Sequence, residues 1–439
     1  MPTAILATPA PTAHDALYAK ITRRVLPFLF ICYVVNFIDR VNIGYAKLQF
    51  LQDLHLNDEI YGIAAGMFFI GYLVFEVPSN LLLARIGARK TLTRIMVLWG
   101  LITVALMFVK TAGVLYVLRF LLGAAEAGFF PGIIFYLTFW FPNHRRGRCT
   151  SLFILAVPIA GIIGGPLSGW IMSSFHEFGG LRGWQWLFLL EGIPAVVLGV
   201  LALFVLTDRP ENAHWLTDAE KSAVAADLER DRQQDHRSAE PARLVEALRD
   251  PYLYLFSAVY FTMFLYLNAL GFWVPTILKS VGVSSLEHIG LLHGAISVAT
   301  AIGMVLIGRS SDRRLERRWH AAISGAVAAV CFLLLPLAAH SAAVTTLLLA
   351  IGSVGIFGVL ITFWTIPASY FKGTAAAGGI AVISSLGAIG GAVSPSLVGT
   401  MKVHTGSIYG GLSIVAVLLA LGMLALLVFV PRSFGRKPA

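Results

Sequence analysis

The chain has 439 residues, of which 57% are hydrophobic and only 13% charged, and its mean hydropathy is +0.79. A soluble domain needs far more polar surface, so this composition excludes a soluble globular protein and predicts a membrane protein. The formal net charge of +10 comes without a basic module interleaved with aromatic residues, which argues against nucleic acid as a partner. The three scattered cysteines have no metal-ligand spacing and form no plausible disulfide framework.

Apolar segments of about twenty residues recur about twelve times, and each is long enough to cross ~30 Å of hydrocarbon. They predict an all-α membrane protein, because in lipid each segment must satisfy its own backbone polar groups. The predicted helices 1–12 are 25–46, 60–83, 91–109, 114–140, 150–174, 186–206, 252–278, 287–308, 320–338, 343–370, 375–400 and 407–431. The predicted domains are a cytoplasmic segment 1–24, a six-helix bundle 25–206, a linker 207–250, a second six-helix bundle 251–431 and a tail 432–439.

The stretch before Val25 ends in two arginines and has no cleavable signal pattern, so the first apolar run is expected to remain as a helix. Between the two bundles, 207–250 is the only long polar stretch, and its "LTDAE" is typical of a helix N-terminus. We interpret it as a partly helical connector, in preference to a regulatory site.

Basic residues accumulate in alternate loops. Those loops carry Arg85, Arg89, Lys90 and Arg94, then Arg145, Arg146 and Arg148, then Arg309, Arg313, Arg314, Arg317 and Arg318. The opposite loops carry little beyond Lys47, Lys110, Arg182, Lys279 and Lys402. Lysine and arginine favour the cytoplasmic side, so both termini and the linker are predicted to be cytoplasmic in a multi-pass protein of a bacterial inner membrane.

The two halves resemble each other. "GIIGGPLS" at 161–168 and "GAIGGAVS" at 387–394 share the pattern G-x-I-G-G-x-x-S and lie 226 residues apart, and the same offset relates two basic loops. Such matches indicate duplicated six-helix units of the kind that transporters use. The glycines predict close packing of helices 5 and 11, which would serve either a rocking surface or a static contact.

Six segments, in order, resemble the major facilitator superfamily and its anion:cation symporter branch: "NFIDRVNIGYA", "FEVPSNLLLARIGARK", "GAAEAGFFPGIIFYLTFWFP", "IGGPLSGW", "WQWLFLLEGIPAV" and "SDRRLERRWH". The resemblance covers nearly the whole chain. It implies alternating access around a central site, and substrates that are small organic anions such as tartrate, phthalate, hydroxyphenylacetate or sugar acids.

The chain departs from that pattern in two places. Relatives usually hold an Asp-Arg pair between helices 2 and 3, where this chain has Ala84-Arg85, while the second half keeps Asp312-Arg313. We therefore expect Arg85, Arg89, Asp312 and Arg313 to act in gating or in structure without a symmetric latch. In helix 11, Ser384 and Ala388 stand where relatives often have asparagines, which argues against a heavily hydroxylated sugar acid.

Ionisable residues inside predicted helices are costly and normally face a partner or a wet cavity. Asp39 and Arg40 lie ~21–23 Å along helix 1, and Arg119 lies ~8 Å into helix 4 from the other side, so their depths nearly coincide. Glu126 follows Arg119 by seven residues on the same face. From the residues alone, these four fit either a carboxylate-binding, proton-coupled site or a buried ion-pair network. The resemblance implies anion binding by Arg40 and Arg119, and proton coupling by Asp39 and Glu126.

Further polar and aromatic groups complete the candidate substrate site: Tyr33, Tyr72, Tyr260, Asn268, Thr362, Trp364, Ser384 and Ser385, with Phe264 beside them. For Trp364 the resemblance implies substrate contact. Glu76 and Glu191, placed near helix ends, are interpreted as structural salt bridges or caps, and His293 as a satisfied core residue.

The sequence contains no G-x-x-x-x-G-K-[ST] phosphate loop and no H-E-x-x-H metal motif, so ATP-driven pumping and metalloenzyme chemistry are not indicated. The leading hypothesis is proton-coupled uptake of a small organic carboxylate by a monomer in the lipid bilayer, with no cofactor, metal or enzyme activity. The alternatives are organic-anion exchange, proton-driven efflux, and a receptor that binds an organic acid without moving it.

Overall fold

The computed structural model describes residues 13–238, 248–314, 316–371 and 373–431. Within them lie twelve helical spans long and apolar enough to cross a membrane, which confirms the predicted fold class. The helices are α1 Ala13–Asp53, α2 Asp58–Ile86, α3 Ala88–Ala105, α4 Ala112–Glu126, α5 Phe129–Thr138, α6 Asn143–Ile154, α7 Ala156–Ser174, α8 Gly183–Val205, α9 Asp218–Ser238, α10 Pro251–Ser280, α11 Leu286–Arg314, α12 Arg318–Leu334, α13 Ala342–Phe363, α14 Thr365–Tyr370, α15 Gly373–Thr405 and α16 Ile408–Phe429.

Three spans consist of two helices each, namely α4 with α5, α6 with α7, and α13 with α14. The break between α4 and α5 follows Glu126 directly. Gly128 there has a φ of 87°, a left-handed conformation that favours glycine, and a Cβ at this position would lie 2.6 Å from the Ser79 hydroxyl oxygen. Glu126 is therefore the last residue of a half-helix inside a membrane span.

The glycine-rich segments lie where the two halves meet. A Cβ on Gly165 of α7 would lie 2.8 Å from the Gly290 carbonyl oxygen of α11. A Cβ on Gly62 of α2 would lie 2.4 Å from the Pro395 carbonyl oxygen of α15. Each seam thus joins one helix of the first half to one of the second, at a spacing that only small residues allow.

The first helix begins at Ala13, so half of the segment predicted to precede it is helical. Its first turns pack on the linker helix α9: the Tyr18 hydroxyl donates to Asp227, and Lys20 donates to Glu220 at 2.8 Å. The hydrogen bond from Lys20 is the main reason that the pKa of Glu220 lies below its ordinary value. Thr217 and Glu220 also form the predicted cap of α9, each accepting from the other's backbone N–H. The linker is therefore a connector docked on the first half, and 239–247 lie outside the described residues.

We name the membrane side that carries the linker the linker face, and the other side the far face. At the far face a charge cluster joins the halves: Lys47 of α1 and Lys402 of α15 bind the two oxygens of Asp58, at 3.0 and 2.6 Å. The Lys47 side chain is 1% exposed, and its ammonium lies 4.1 Å from the Tyr61 ring centre and 3.5 Å from that of Trp273. One carboxylate thus compensates two ammonium groups in a closed far face.

This cluster gives a testable expectation. Without the Asp58 charge, two lysines face each other and Lys47 loses its one counter-ion among the described residues, at a cost of about 3 kcal/mol or more. Asp58→Asn should therefore shift the protein toward a far-face-open state. The measurement is labelling of Ser396→Cys by a membrane-impermeant maleimide from the far face, after replacement of Cys32, Cys149 and Cys331.

Labelling should become at least ~10-fold faster, since a shift of that size needs only about 1.4 kcal/mol. The matched control is Glu59→Gln, which removes a carboxylate from the same helix end outside the cluster. Equal labelling rates in the two variants would show that Asp58 does not hold the far face closed.

Candidate functional site

Asp39 and Arg40 are neighbours in sequence, but their side chains face different parts of the first half. Arg40 reaches across to α4, where its Nε donates to Glu126 Oε1 at 3.1 Å and a terminal nitrogen contacts the same oxygen. The Glu126 side chain is 1% exposed and that of Arg40 is 21% exposed. The ion pair is thus buried on the acid's side and open on the arginine's side.

Asp39 lies inside the first half and is 1% exposed. Its two oxygens accept from Thr103 Oγ1 on α3, at 2.8 Å, and from Asn42 Nδ2 on α1, at 3.1 Å. The expectation that Asp39 shares a site with Arg40 is therefore met only in depth: the acid bonds to neutral groups. Asp39 can therefore affect anion binding only indirectly, through the position of α1.

Arg119 is fully buried on α4, and none of its guanidinium nitrogens has a hydrogen-bond partner among the described residues. Its guanidinium carbon lies 5.0 Å from the centre of the Phe68 ring, and that of Arg40 lies 5.3 Å from the same ring. A single aromatic ring on α2 thus contacts both guanidinium groups. Such contacts stabilise a cation but leave its N–H groups free for an anion.

Aromatic rings surround the Arg40 guanidinium. Phe37 and Tyr72 lie 5.1 and 5.7 Å from its carbon, measured to the ring centres. Tyr33, one turn before Phe37, stacks on Phe153 with ring centres 4.2 Å apart. The predicted site residue Tyr72 therefore lies beside Arg40, and Tyr33 contacts Phe37, which in turn contacts Arg40.

From the second half, Tyr260 and Trp364 contact each other with ring centres 4.7 Å apart. Tyr260 is also close enough to Tyr33 and Glu76 of the first half to interact with them electrostatically. These two predicted residues thus belong to one aromatic cluster on the second half. Trp364 stands at the break between α13 and α14.

The other candidates of the second half are bound to their own helices or stand apart. Thr362 is buried and donates to the Gly358 carbonyl, and Asn268 Nδ2 donates to the Phe264 carbonyl. Ser384 and Ser385 are half-buried on α15. Contact of these four with a ligand remains a prediction.

The predicted gating residues lie at the linker face. Arg89 binds Asp208 through its backbone N–H and donates to the Leu203 carbonyl, which ties α3 to the end of α8. Asp312 pairs with Arg317 at 2.5 Å, whereas Arg85 and Arg313 are exposed. These contacts lie within one half each.

The prediction for Glu191 was wrong. It lies well inside α8, is 3% exposed and accepts a hydrogen bond from Ser168 at 2.7 Å, so it is neither a helix cap nor a surface salt bridge. His293 is satisfied as expected, by the Tyr45 hydroxyl at 2.6 Å, although this contact joins the two halves. Phe68, Asn42 and Thr103 were missed, because phenylalanine and neutral polar residues are common in any membrane core.

Among the described residues, no cluster of histidine, cysteine and acidic side chains has the arrangement of a metal site. The charged groups inside the membrane are instead arginines, with N–H groups suited to a carboxylate, and acids suited to a proton. Two six-helix halves that meet at glycine seams around such a group define a secondary transporter.

Comparison with known proteins gives the family. The sequence model of the Major Facilitator Superfamily matches residues 29–395 of this chain. The chain is 45% identical to the "Putative metabolite transport protein NicT" of Pseudomonas putida, over 91% of each chain. It is 42% identical to a "Putative tartrate transporter" of Agrobacterium vitis, over 94% of this chain and 91% of that one. The chain therefore belongs to the Major Facilitator Superfamily, as its resemblance indicated.

A solved structure of similar fold is a bacterial homologue of the human lysosomal transporter Spinster, in an inward-facing and occupied conformation. It superposes with a TM-score of 0.76 at 16% identity, over 96% of this chain and 99% of that one. At this identity the likeness concerns the fold, which is that of a transporter.

Proposed function

We propose that this protein takes up a small organic carboxylate together with protons, with Arg40 and Arg119 binding the anion. The observation that carries the proposal is the buried, unpaired guanidinium of Arg119, which shares the Phe68 ring with Arg40. A buried cation without a partner is costly, and a ligand carboxylate that reaches both groups would compensate it. The name of the relative from Agrobacterium vitis, "Putative tartrate transporter", supports this class of substrate.

The contact between Arg40 and Glu126 supplies the coupling. A substrate carboxylate that takes the exposed side of Arg40 competes with Glu126 for the same guanidinium. Glu126, once displaced, is an unpaired carboxylate in the membrane interior, so binding of a proton to it becomes favourable. Anion and proton therefore favour each other's binding, and this coupling is reciprocal in free energy.

Alternating access follows from the seams between the halves. The far-face cluster of Lys47, Asp58 and Lys402 holds that face closed, and Arg40 is then reached from the linker face. The basic loops lie on the linker face, so we assign that face to the cytoplasm and the protein to the inner membrane. Arg85, Arg89, Asp312 and Arg313 belong to the gate of that face in this proposal.

Thermal stability of purified protein tests the binding part. Mono- and dicarboxylates, aliphatic and aromatic, are screened for a rise in melting temperature, which should grow with ln(1 + [L]/Kd). At least one acid should raise it, and Arg40→Ala should abolish the shift while Glu59→Gln, which removes a half-buried acid at the far-face end of α2, retains it. A shift that survives Arg40→Ala would place the anion elsewhere.

Counterflow tests the transport part. Proteoliposomes loaded with the unlabelled acid should take up the labelled acid transiently, which a receptor that does not move its ligand cannot do. Accumulation into vesicles that are alkaline inside indicates symport. Accumulation into vesicles that are acidic inside would instead indicate antiport and efflux.

A further inference from the structure

A buried polar cluster lies within the first half, away from Arg40. Hydrogen bonds connect Asp39 with Asn42 and Thr103 on α1 and α3, and Glu191 with Ser168 on α8 and α7. Asn42 lies close to Glu191 and so brings the two groups together. The two acids are 1% and 3% exposed, and the side chains that donate to them in the described part of the chain are neutral. Two ionised carboxylates so placed would be very costly, so at least one of them holds a proton.

Asn42 lies between the two acids. Its Nδ2 donates to Asp39, while its Oδ1 has no partner among the described residues, and it is close enough to Glu191 to interact with that carboxyl. Glu191 accepts from Ser168 on Oε1, and its Oε2 likewise has no partner. A proton on Glu191 Oε2 would supply the donor that the free Asn42 oxygen lacks.

We propose that Glu191 is a second proton-binding residue, which shares a proton with Asp39 through the amide of Asn42. In one form Glu191 is neutral and Asp39 is an ionised acceptor of two hydrogen bonds. In the other form the Asn42 amide is turned over: Asp39 holds the proton and donates to Oδ1, while Nδ2 donates to the ionised Glu191. The total charge of the pair is the same in both forms. This inference rests on the proposed proton coupling and adds a residue that acts without touching the anion.

The surroundings of Glu191 define what else titrates with it. From α1 it faces Asp39 and Tyr45, from α7 the hydroxyl of Ser168, and from α3 the hydroxyl of Thr103 reaches Asp39. Beyond them, Asp39 interacts with Arg119 and Glu126, and Tyr45 is hydrogen-bonded to His293. Protonation of the pair therefore changes the electrostatic environment of Arg119, which is proposed to bind the substrate, and of the contact between Tyr45 and His293 that joins the halves.

The experiment is substrate exchange in proteoliposomes at equal pH on both sides, from pH 5 to 9. Two acids that share a proton titrate in coupled steps, and a fixed neutral partner removes their mutual repulsion. Glu191→Gln retains the hydrogen bonds and should keep the exchange rate at its optimum within ~2-fold, but move the alkaline midpoint of the profile to lower pH by about one unit. Glu59→Gln, the matched control at the far-face end of α2, should leave the profile unchanged.

Asn42→Ala tests the bridge. It removes the amide N–H that stabilises an ionised carboxylate, so it should move the alkaline midpoint to higher pH, opposite to the shift in Glu191→Gln. In the double variant the two shifts should not add, because the two residues interact. Should Asn42→Ala fail to fold, the Glu191→Gln profile decides alone. A pH-dependent wild-type profile that Glu191→Gln leaves in place overturns the role of Glu191 only. A flat wild-type profile overturns the proposed proton coupling itself, and this inference with it.

Discussion

Arg40→Lys should reduce transport at least ~30-fold, nearly as much as Arg40→Ala, which corresponds to a loss of about 2 kcal/mol. Arg40 presents Nε and a terminal nitrogen along one edge of its guanidinium group. The rings of Phe37, Phe68 and Tyr72 lie around that group. Lysine keeps the charge but not the planar fork that matches a carboxylate or stacks on rings. The measurement is initial uptake in proteoliposomes with equal amounts of folded protein.

Arg119→Lys should behave in the same way, since Arg119 is the second guanidinium at the Phe68 ring. Lys110→Arg, on the far-face loop, is the matched control for a change between the two cations. Near-wild-type uptake by both lysine variants would show that neither guanidinium binds the substrate, even if transport itself is intact.

Glu126→Gln should lose accumulation driven by a pH gradient while it retains binding and exchange. Glutamine is a permanently neutral mimic of the protonated acid, so Arg40 no longer has a carboxylate that competes with the substrate. Wild-type accumulation is limited to ~10-fold for each coupled proton at a gradient of one pH unit, and the variant should reach only equilibration. The measurement compares accumulation with exchange in the same vesicles.

Two controls sharpen this result. Glu59→Gln should accumulate substrate as the wild type does, because this acid at the far-face end of α2 has no ion pair with either arginine in the described contacts. Asp39→Asn should lose accumulation as Glu126→Gln does, if the pair of Asp39 and Glu191 carries a proton. Full accumulation by Glu126→Gln would remove Glu126 from the coupling mechanism.

The order of the spans followed from hydropathy, because each span must bury about twenty apolar residues whatever its neighbours are. The helical conformation of 13–24 did not, because half of this segment is polar or charged and its helix is held by long-range contacts such as Tyr18 with Asp227. The helix break after Glu126 was not predicted either, because it depends on the left-handed conformation of Gly128, which packs against Ser79. Tertiary contacts decide both features.

Depth along the helices brought Arg40 and Arg119 to one level, with Glu126 two turns further along on the same face, and the structure pairs Arg40 with Glu126. Depth does not fix direction around the helix, and adjacent residues on α1 point ~100° apart, so Asp39 faces α3 instead of Arg40. The partners of Asp39 and Glu191 are Thr103, Asn42 and Ser168. Single neutral residues on separate helices have no spacing in the sequence that relates them.

The most direct test of proton-coupled carboxylate uptake is proton movement by the wild-type protein. Lightly buffered proteoliposomes without any imposed gradient receive an acid that the thermal screen has identified, and the external pH is recorded. We expect the medium to become more alkaline as substrate enters, with no such change in vesicles of Arg40→Ala. Substrate entry at an unchanged external pH would contradict proton coupling, and acidification of the medium would show that protons leave as the anion enters.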